Sequence, residues 1–210
     1  KAFLEAGFNV LCEKPMTMTV EQGEEIVRVA EASGKICAVN YCYSAYPMIR
    51  QAREMIAAGD IGNIRVVQAE YPQDWLTEDL ESTGQKQASW RTDPARSGAG
   101  GSTGDIGTHA YNLARFVTGL ELDSLAADLS AFAPGRQLDD NAHVLLRFKQ
   151  RGDENPARGM LWASQVAPGN ENAVKLRVYG PTGGLECARG GRNVGYVTIV
   201  GNIAAMVTIS

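Results

Sequence analysis

Along the first forty residues, two short apolar runs flank one stretch of helical periodicity. FNVLCE (8–13) and KICAVNY (35–41) are continuous enough for buried parallel strands, whereas TVEQGEEIVRVAEASG (19–34) repeats Val20, Ile26, Val27 and Ala30 at helical spacing before Gly34. Strand, helix and strand in that order predict a βαβ unit. Such units build parallel sheets whose ligands sit at the carboxyl ends of the strands. Ahead of it, KAFLEAG reads as the closing turns of a helix stopped by Gly7, so a segment preceding Lys1 is expected.

From Tyr46 onward the pattern changes. YPMIRQAREMIAAGDIGN is a second amphipathic helix, with Ile49, Ala52 and Ile56 on one face and Gly59 near its end, and IRVVQAEY follows as a strand. Residues 72–104 are polar, show little periodicity and greatly exceed the usual connection of about 4–6 residues. Trp75 and Trp90 within them favour function over disorder. A further helix runs from Asp105, with Ile106, Ala110, Leu113, Ala114 and Val117 as its apolar positions, and stops before Gly119. LDSLAADLSAF, NAHVLLRF, ARGMLWASQV and AVKLRVYG are then four strand-like runs that predict an antiparallel sheet. The chain divides into an α/β segment, 1–41, and an α+β domain, 42–210, whose glycine-rich tail from 187 to 210 has no assigned place.

Composition narrows the function classes. With 210 residues, 44% hydrophobic and 21% charged, the chain has ordinary globular composition. A net charge of −4 gives no basic footprint for nucleic acid. No apolar run approaches the roughly 20 residues that span a bilayer, and no leader opens the sequence, so neither nucleic acid nor membrane is an expected partner. The four cysteines show no CxxC or cysteine–histidine spacing, which makes zinc knuckles and disulfide scaffolds weak readings and fits a cytoplasmic protein. Cys12 and Cys37 read as small buried hydrophobes.

Two stretches carry candidate chemistry. In GAGGSTGDIGTHAYNLARF (98–116) the glycines miss the dinucleotide G-x-G-x-x-G spacing and follow a loop instead of a strand; no G-K-[ST] completes a P-loop. They let the backbone pass close to a ligand or fold tightly behind one, or they form a flexible surface loop. Asp105 and His109, four residues apart, share a helix face near its positive end; a capping aspartate and a half-buried histidine are the plainer readings. A metal would need a third ligand. The only other histidine is His143, in a strand, and no HExxH occurs, so no metal is expected. The second stretch, Glu13-Lys14-Pro15, ends a predicted parallel strand, where Lys14 projects into the ligand-binding region of an open α/β sheet.

EKPMTMTVEQGEEIV, VNYCY, SWRTDPARSGAGGSTGDIGTHAYNL and LDDNAHVLLRF together resemble the Gfo/Idh/MocA oxidoreductases, in register from Lys1 to about Glu186. The resemblance implies an α/β remnant of a Rossmann domain that binds NAD or NADP, truncated at its N-terminus. It is followed by an α+β domain with a large, mostly antiparallel sheet that supplies the substrate pocket. It also implies Lys14, Asp105 and His109 as catalytic residues, and Glu13, Lys14, Pro15, Asn40, Trp90 and Arg91 at the nicotinamide. Lys14, Tyr43, Trp90, Asp105 and His109 would then face a sugar or polyol, and the sheet would mediate a homo-oligomer, dimer or tetramer. In the chemistry so implied, His109 takes the hydroxyl proton as hydride leaves, Lys14 binds the same oxygen, and Asp105 orients the substrate or the histidine. Trp90 and Trp75 offer stacking faces to a sugar ring, and Arg91 offers a fork of donors to a cofactor phosphate.

The glycine fingerprint that would choose between NAD and NADP lies outside the sequence, so these 210 residues alone are expected to bind nicotinamide cofactor weakly and to be inactive. Two other readings compete: a non-catalytic carbohydrate-binding or oligomerisation module of the same fold, and a metal-dependent hydrolase using Asp105, His109 and His143.

Overall fold

The computed structural model describes residues 1–152, 155–190, 194–201 and 206–207, with side chains through Ala188. The chain opens with helix α1 (Ala2–Glu5), strand β1 (Val10–Glu13), helix α2 (Val20–Ser33) and strand β2 (Cys37–Asn40). β1 and β2 pair in parallel, from Val10 opposite Cys37 to Glu13 opposite Asn40, which completes the βαβ unit. Thr19 starts α2 through a capping box: its side chain accepts from Gln22 N–H while the Gln22 side chain accepts from the Thr19 N–H. Gly34 ends it in the left-handed conformation.

The burial expected of the two strands is only partly present. Leu11 is 71% exposed and Ile36 67%, and Cys12 and Cys37 are half-buried. A two-stranded sheet has one helical layer against it here, and the side chains on its other face meet no second layer among the described residues.

A single 3-10 turn (Cys42–Ala45) leads into helix α3 (Pro47–Ala58) and strand β3 (Val66–Pro72). The long polar stretch that follows holds a 3-10 turn (Glu81–Thr83) and two short helices, α4 (Lys86–Arg91) and α5 (Pro94–Ser97). A π turn (Thr103–Gly107) runs straight into helix α6 (Thr108–Thr118), so the helical backbone begins slightly earlier than the apolar pattern suggests. Strands β4 (Leu122–Ser130), β5 (Asn141–Phe148), β6 (Arg158–Ser164), β7 (Lys175–Tyr179), β8 (Gly183–Gly190), β9 (Val194–Gly201) and β10 (Met206–Val207) complete the chain.

The last eight strands form one sheet in the order β10-β9-β8-β7-β3-β6-β5-β4. Its pairs are antiparallel except β3 with β6. Strand residues 187–190, 194–201 and 206–207 extend this sheet at one edge. Helices α3 and α6 cover one face. Met48, Ile49 and Ala52 of the first and Ala110, Leu113, Ala114 and Val117 of the second pack on Val67, Ala69, Val144, Leu161, Leu176 and Val178. Alternation along β5 is strict, with Ala142, Val144 and Leu146 buried while His143 and Leu145 face out. On the uncovered face Leu145 is 66% exposed, whereas Leu125 and Leu129, opposite Leu146 and Ala142 in register, are 56% and 55% exposed on the helix side of the edge strand β4.

Two polar clusters fasten the irregular stretch to this layer. The Arg136 side chain, 1% exposed, donates to both Glu81 carboxylate oxygens, to Asp140 Oδ2 at 2.9 Å and to the carbonyls of Leu76 and Glu78. Burial opposes its charge, yet the hydrogen bonds and charges of Glu81 and Asp140 prevail and hold its pKa above the ordinary arginine value. The Asp139 carboxylate accepts from Gly101 N–H, Thr103 N–H, Ser102 Oγ and Thr103 Oγ1 at 2.7–2.8 Å, fixing the start of the π turn. Gly101 is required there, because a Cβ would stand 2.0 Å from the Asp139 carbonyl oxygen.

Candidate active site

Lys14 follows the carboxyl end of β1, across a cis peptide bond to Pro15. Its ammonium donates to Asp105 Oδ1 at 2.8 Å and to the Asp105 carbonyl at 2.6 Å. The lysine of the βαβ unit is thus bound to the π turn of the sheet domain. The other carboxylate oxygen of Asp105 accepts from Gln165 Nε2 at 2.9 Å and lies 3.3 Å from Arg91 Nε. Two cations and an amide surround one carboxylate, which stands at the centre of the site.

His109, on the first turn of α6, is 7% exposed. Tyr41 and Tyr43 meet its ring edge-on at centroid distances of 5.5 and 4.9 Å, and Tyr71 lies tilted at 6.2 Å. Its Nδ1 is buried with no hydrogen-bond partner. Burial, and next the positive charge of Lys14, push its pKa down to about 4, against the weaker opposing pull of Asp105 and Glu13. The imidazole is therefore neutral at physiological pH and keeps one unprotonated nitrogen. The wide π turn alters the simple helical relation of the two residues, and the Asp105 carboxylate turns to Lys14, Gln165 and Arg91 instead of to His109 Nδ1.

The remaining expected residues fall in distinct places. Glu13 and Asn40 face each other at the carboxyl ends of β1 and β2, with Asn40 Nδ2 donating to Glu13 Oε1 at 2.8 Å. Trp90 and Lys14-Pro15 line a cavity of about 480 Å³ together with Met16, Thr17, Gln22 and Arg96. Arg91 lays its guanidinium over the Trp90 ring at 4.3 Å, bonds the Gln87 side chain and turns Nε to Asp105, a different employment from phosphate binding. Tyr43, expected on the substrate side, is buried and its hydroxyl is bonded to that of Tyr71; it walls the histidine from beneath. His143 stacks on Trp162, ring centroids 6.3 Å apart, on the sheet face away from α6. Among the described residues no three His, Cys, Asp or Glu side chains stand together as a metal site.

Gln165, Tyr71, Arg136 and Asp139 are not singled out by sequence pattern. Gln165 and Tyr71 sit at strand ends, and the other two lie in the connection before β5. The only advance signal was the acidic pair at 139–140 preceding an apolar strand.

A βαβ unit that brings a lysine to its carboxyl end, against an aspartate near a buried histidine from an α-covered, mostly antiparallel sheet, defines a two-part α/β architecture. The chain belongs to the Gfo/Idh/MocA family: residues 1–41 match the oxidoreductase family's NAD-binding Rossmann fold, and residues 49–186 match the GFO/IDH/MocA C-terminal domain. It is 37% identical over 188 residues to the uncharacterized oxidoreductase YfiI of Bacillus subtilis, covering 89% of this chain and 47% of that protein. The solved structure of an oxidoreductase from Sinorhizobium meliloti is 50% identical with a TM-score of 0.82, covering 98% of this chain and 52% of that one. An inositol dehydrogenase homolog from Azotobacter vinelandii, solved with NADH and myo-inositol, is 29% identical with a TM-score of 0.78, covering 98% and 53%. The chain thus spans about half the length of these relatives. No helix among the described residues is long and apolar enough to cross a membrane.

Proposed function

We propose that this chain is part of an NAD(P)-dependent dehydrogenase that moves hydride between a sugar or polyol carbinol carbon and nicotinamide. The observation that carries the reading is the meeting of Lys14 and the neutral His109 around Asp105. The family match to an NAD-binding fold and the relative solved with NADH and myo-inositol support the cofactor and the substrate class. The residues fit the nicotinamide end of such a cofactor: the carboxyl ends of two parallel strands, Glu13 with Asn40, and the cavity beside Lys14, Pro15 and Trp90. Residues 1–41 contain no glycine fingerprint for its phosphates.

Nicotinamide, when bound, accepts the hydride. Lys14, held by Asp105, keeps its remaining N–H for the substrate oxygen and stabilises negative charge there. His109 takes the hydroxyl proton. A pKa of about 4 makes it a weak base toward an intact alcohol, but as hydride leaves, the hydroxyl becomes that of a protonated carbonyl, a far stronger acid. Transfer is then downhill, and it waits for hydride departure. Asp105 keeps the lysine in place and neutralises part of its charge.

In this reading, 1–41 is the cofactor side and 42–210 the substrate side, and the open sheet face bearing His143, Leu145 and Trp162 is where a second copy docks. The four cysteines, all unpaired, suit a reducing cytoplasm. A panel of sugars and cyclic polyols, followed by nicotinamide absorbance in the full-length protein, tests the function. Lys14→Met and His109→Ala should each lower kcat by about 10²–10⁴ while leaving thermal stability near wild type. No turnover of any panel member with either NAD or NADP would favour a non-catalytic module of the same fold.

A further inference from the structure

We propose that Gln165 is a positioning residue for the Lys14 ammonium, acting through Asp105; this rests on the dehydrogenase reading above. Gln165 follows the last residue of β6 and is 2% exposed. Its main chain is fixed at both ends: N–H donates to the Asp140 carbonyl at 2.8 Å, and its own carbonyl accepts from Leu76 N–H at 2.9 Å. Asp140 is in turn locked by Arg136 and by the N–H groups of Phe132 and Ala133. A side chain anchored so firmly spends its amide on one acceptor, Asp105 Oδ2, at 2.9 Å.

The geometry explains why an amide stands there. Asp105 has two carboxylate oxygens and two cations within reach, and Arg91 Nε at 3.3 Å is the looser partner. Without a fixed donor on Oδ2, the carboxylate is free to turn toward Arg91 and to give up its alignment with Lys14. An uncharged donor holds the plane without adding a third positive charge beside His109, whose neutrality depends on the charges around it. Gln165 thus fixes the carboxylate, and the carboxylate fixes the lysine. A misplacement of the lysine by even 1 Å can cost about 10²-fold in rate.

The test uses four variants of the full-length protein: Gln165→Met, Gln165→Glu, Asp105→Asn and the double variant Asp105→Asn with Gln165→Glu. Methionine keeps the volume and removes the donor; kcat should fall about 10–100-fold with the cofactor KM within about twofold. Glutamate alone sets two carboxylates against each other. Adding Asp105→Asn restores an amide–carboxylate pair with donor and acceptor exchanged, so the double variant should exceed Gln165→Glu by at least about tenfold in kcat. A purely structural role for Gln165 gives no such recovery. Independently of turnover, acetylation of Lys14 by acetic anhydride, followed by peptide mass mapping, should be at least about threefold faster in Gln165→Met, since its ammonium is less firmly held. Methionine kinetics within twofold of wild type, losses that simply multiply in the double variant, or an unchanged Lys14 acetylation rate would each overturn the proposal. If the wild-type protein oxidises no sugar or polyol, the function reading fails while the acetylation rates still decide this one.

Discussion

The two ends of the Lys14–Asp105 contact belong to regions built very differently. In residues 1–41, Leu4 is the one fully buried hydrophobic side chain, and Phe3, Phe8, Leu11 and Ile36 are 60–71% exposed. The sheet domain encloses a continuous core between α3, α6 and the strands, and its polar connections are themselves buried and paired. The lesson is that placing a lysine firmly does not need a deep core beneath it. A few charge-assisted hydrogen bonds to a rigid partner suffice, and here the rigidity lies wholly on the sheet side.

The contrast can be broken first at its strongest point. Arg136→Met removes the cation paired with the fully buried Asp140 and should destabilise the chain by about 3–5 kcal/mol in urea unfolding, because an uncompensated charge is left inside. A loss under 1 kcal/mol would mean that the connection is not anchored as described. Acid provides the next probe. Unfolded histidine takes up a proton near pH 6.5, whereas His109 in the folded chain does so only near 4; the unfolded state therefore binds more protons across that window. Stability should be full above pH 6.5 and fall as the pH drops toward 4, by on the order of 3 kcal/mol from this group. His109→Asn should flatten that slope, and an unaltered pH dependence of the unfolding free energy would remove the assignment. The smallest effect belongs to the first region: Leu11→Ser, at a site 71% exposed, should change stability by less than about 0.5 kcal/mol in this 210-residue chain. A cost above 2 kcal/mol would show that β1 is covered in solution and would end the comparison.

Much of the architecture was legible along the chain. Helices α3 and α6 and the strands β3, β5, β6 and β7 could be read because each buries one stripe or face, which leaves a period in the sequence; the βαβ unit and β4 carry apolar patterns too, although none of them is fully buried. The segment from 72 to 104 gave no period because it is held near its two ends, at 76–81 and 101–103, by hydrogen bonds to Arg136 and Asp139, more than thirty residues further on, and not by a stripe of its own. Lys14, Asp105 and His109 stood out through motif and spacing. Gln165 did not, since a glutamine after an apolar strand is an unremarkable residue until the fold sets it against a carboxylate.

By itself, then, the order of residues determined which segments become helices and strands and which side chains have chemistry to offer, since local periodicity and capping act within a few positions. Tertiary structure alone decided their employment. Asp105 serves Lys14 and not His109, Arg91 turns to Asp105 and Tyr43 lies beneath the imidazole. These outcomes depend on distances between segments up to about ninety residues apart and on how much water is excluded from them, and no local pattern encodes either.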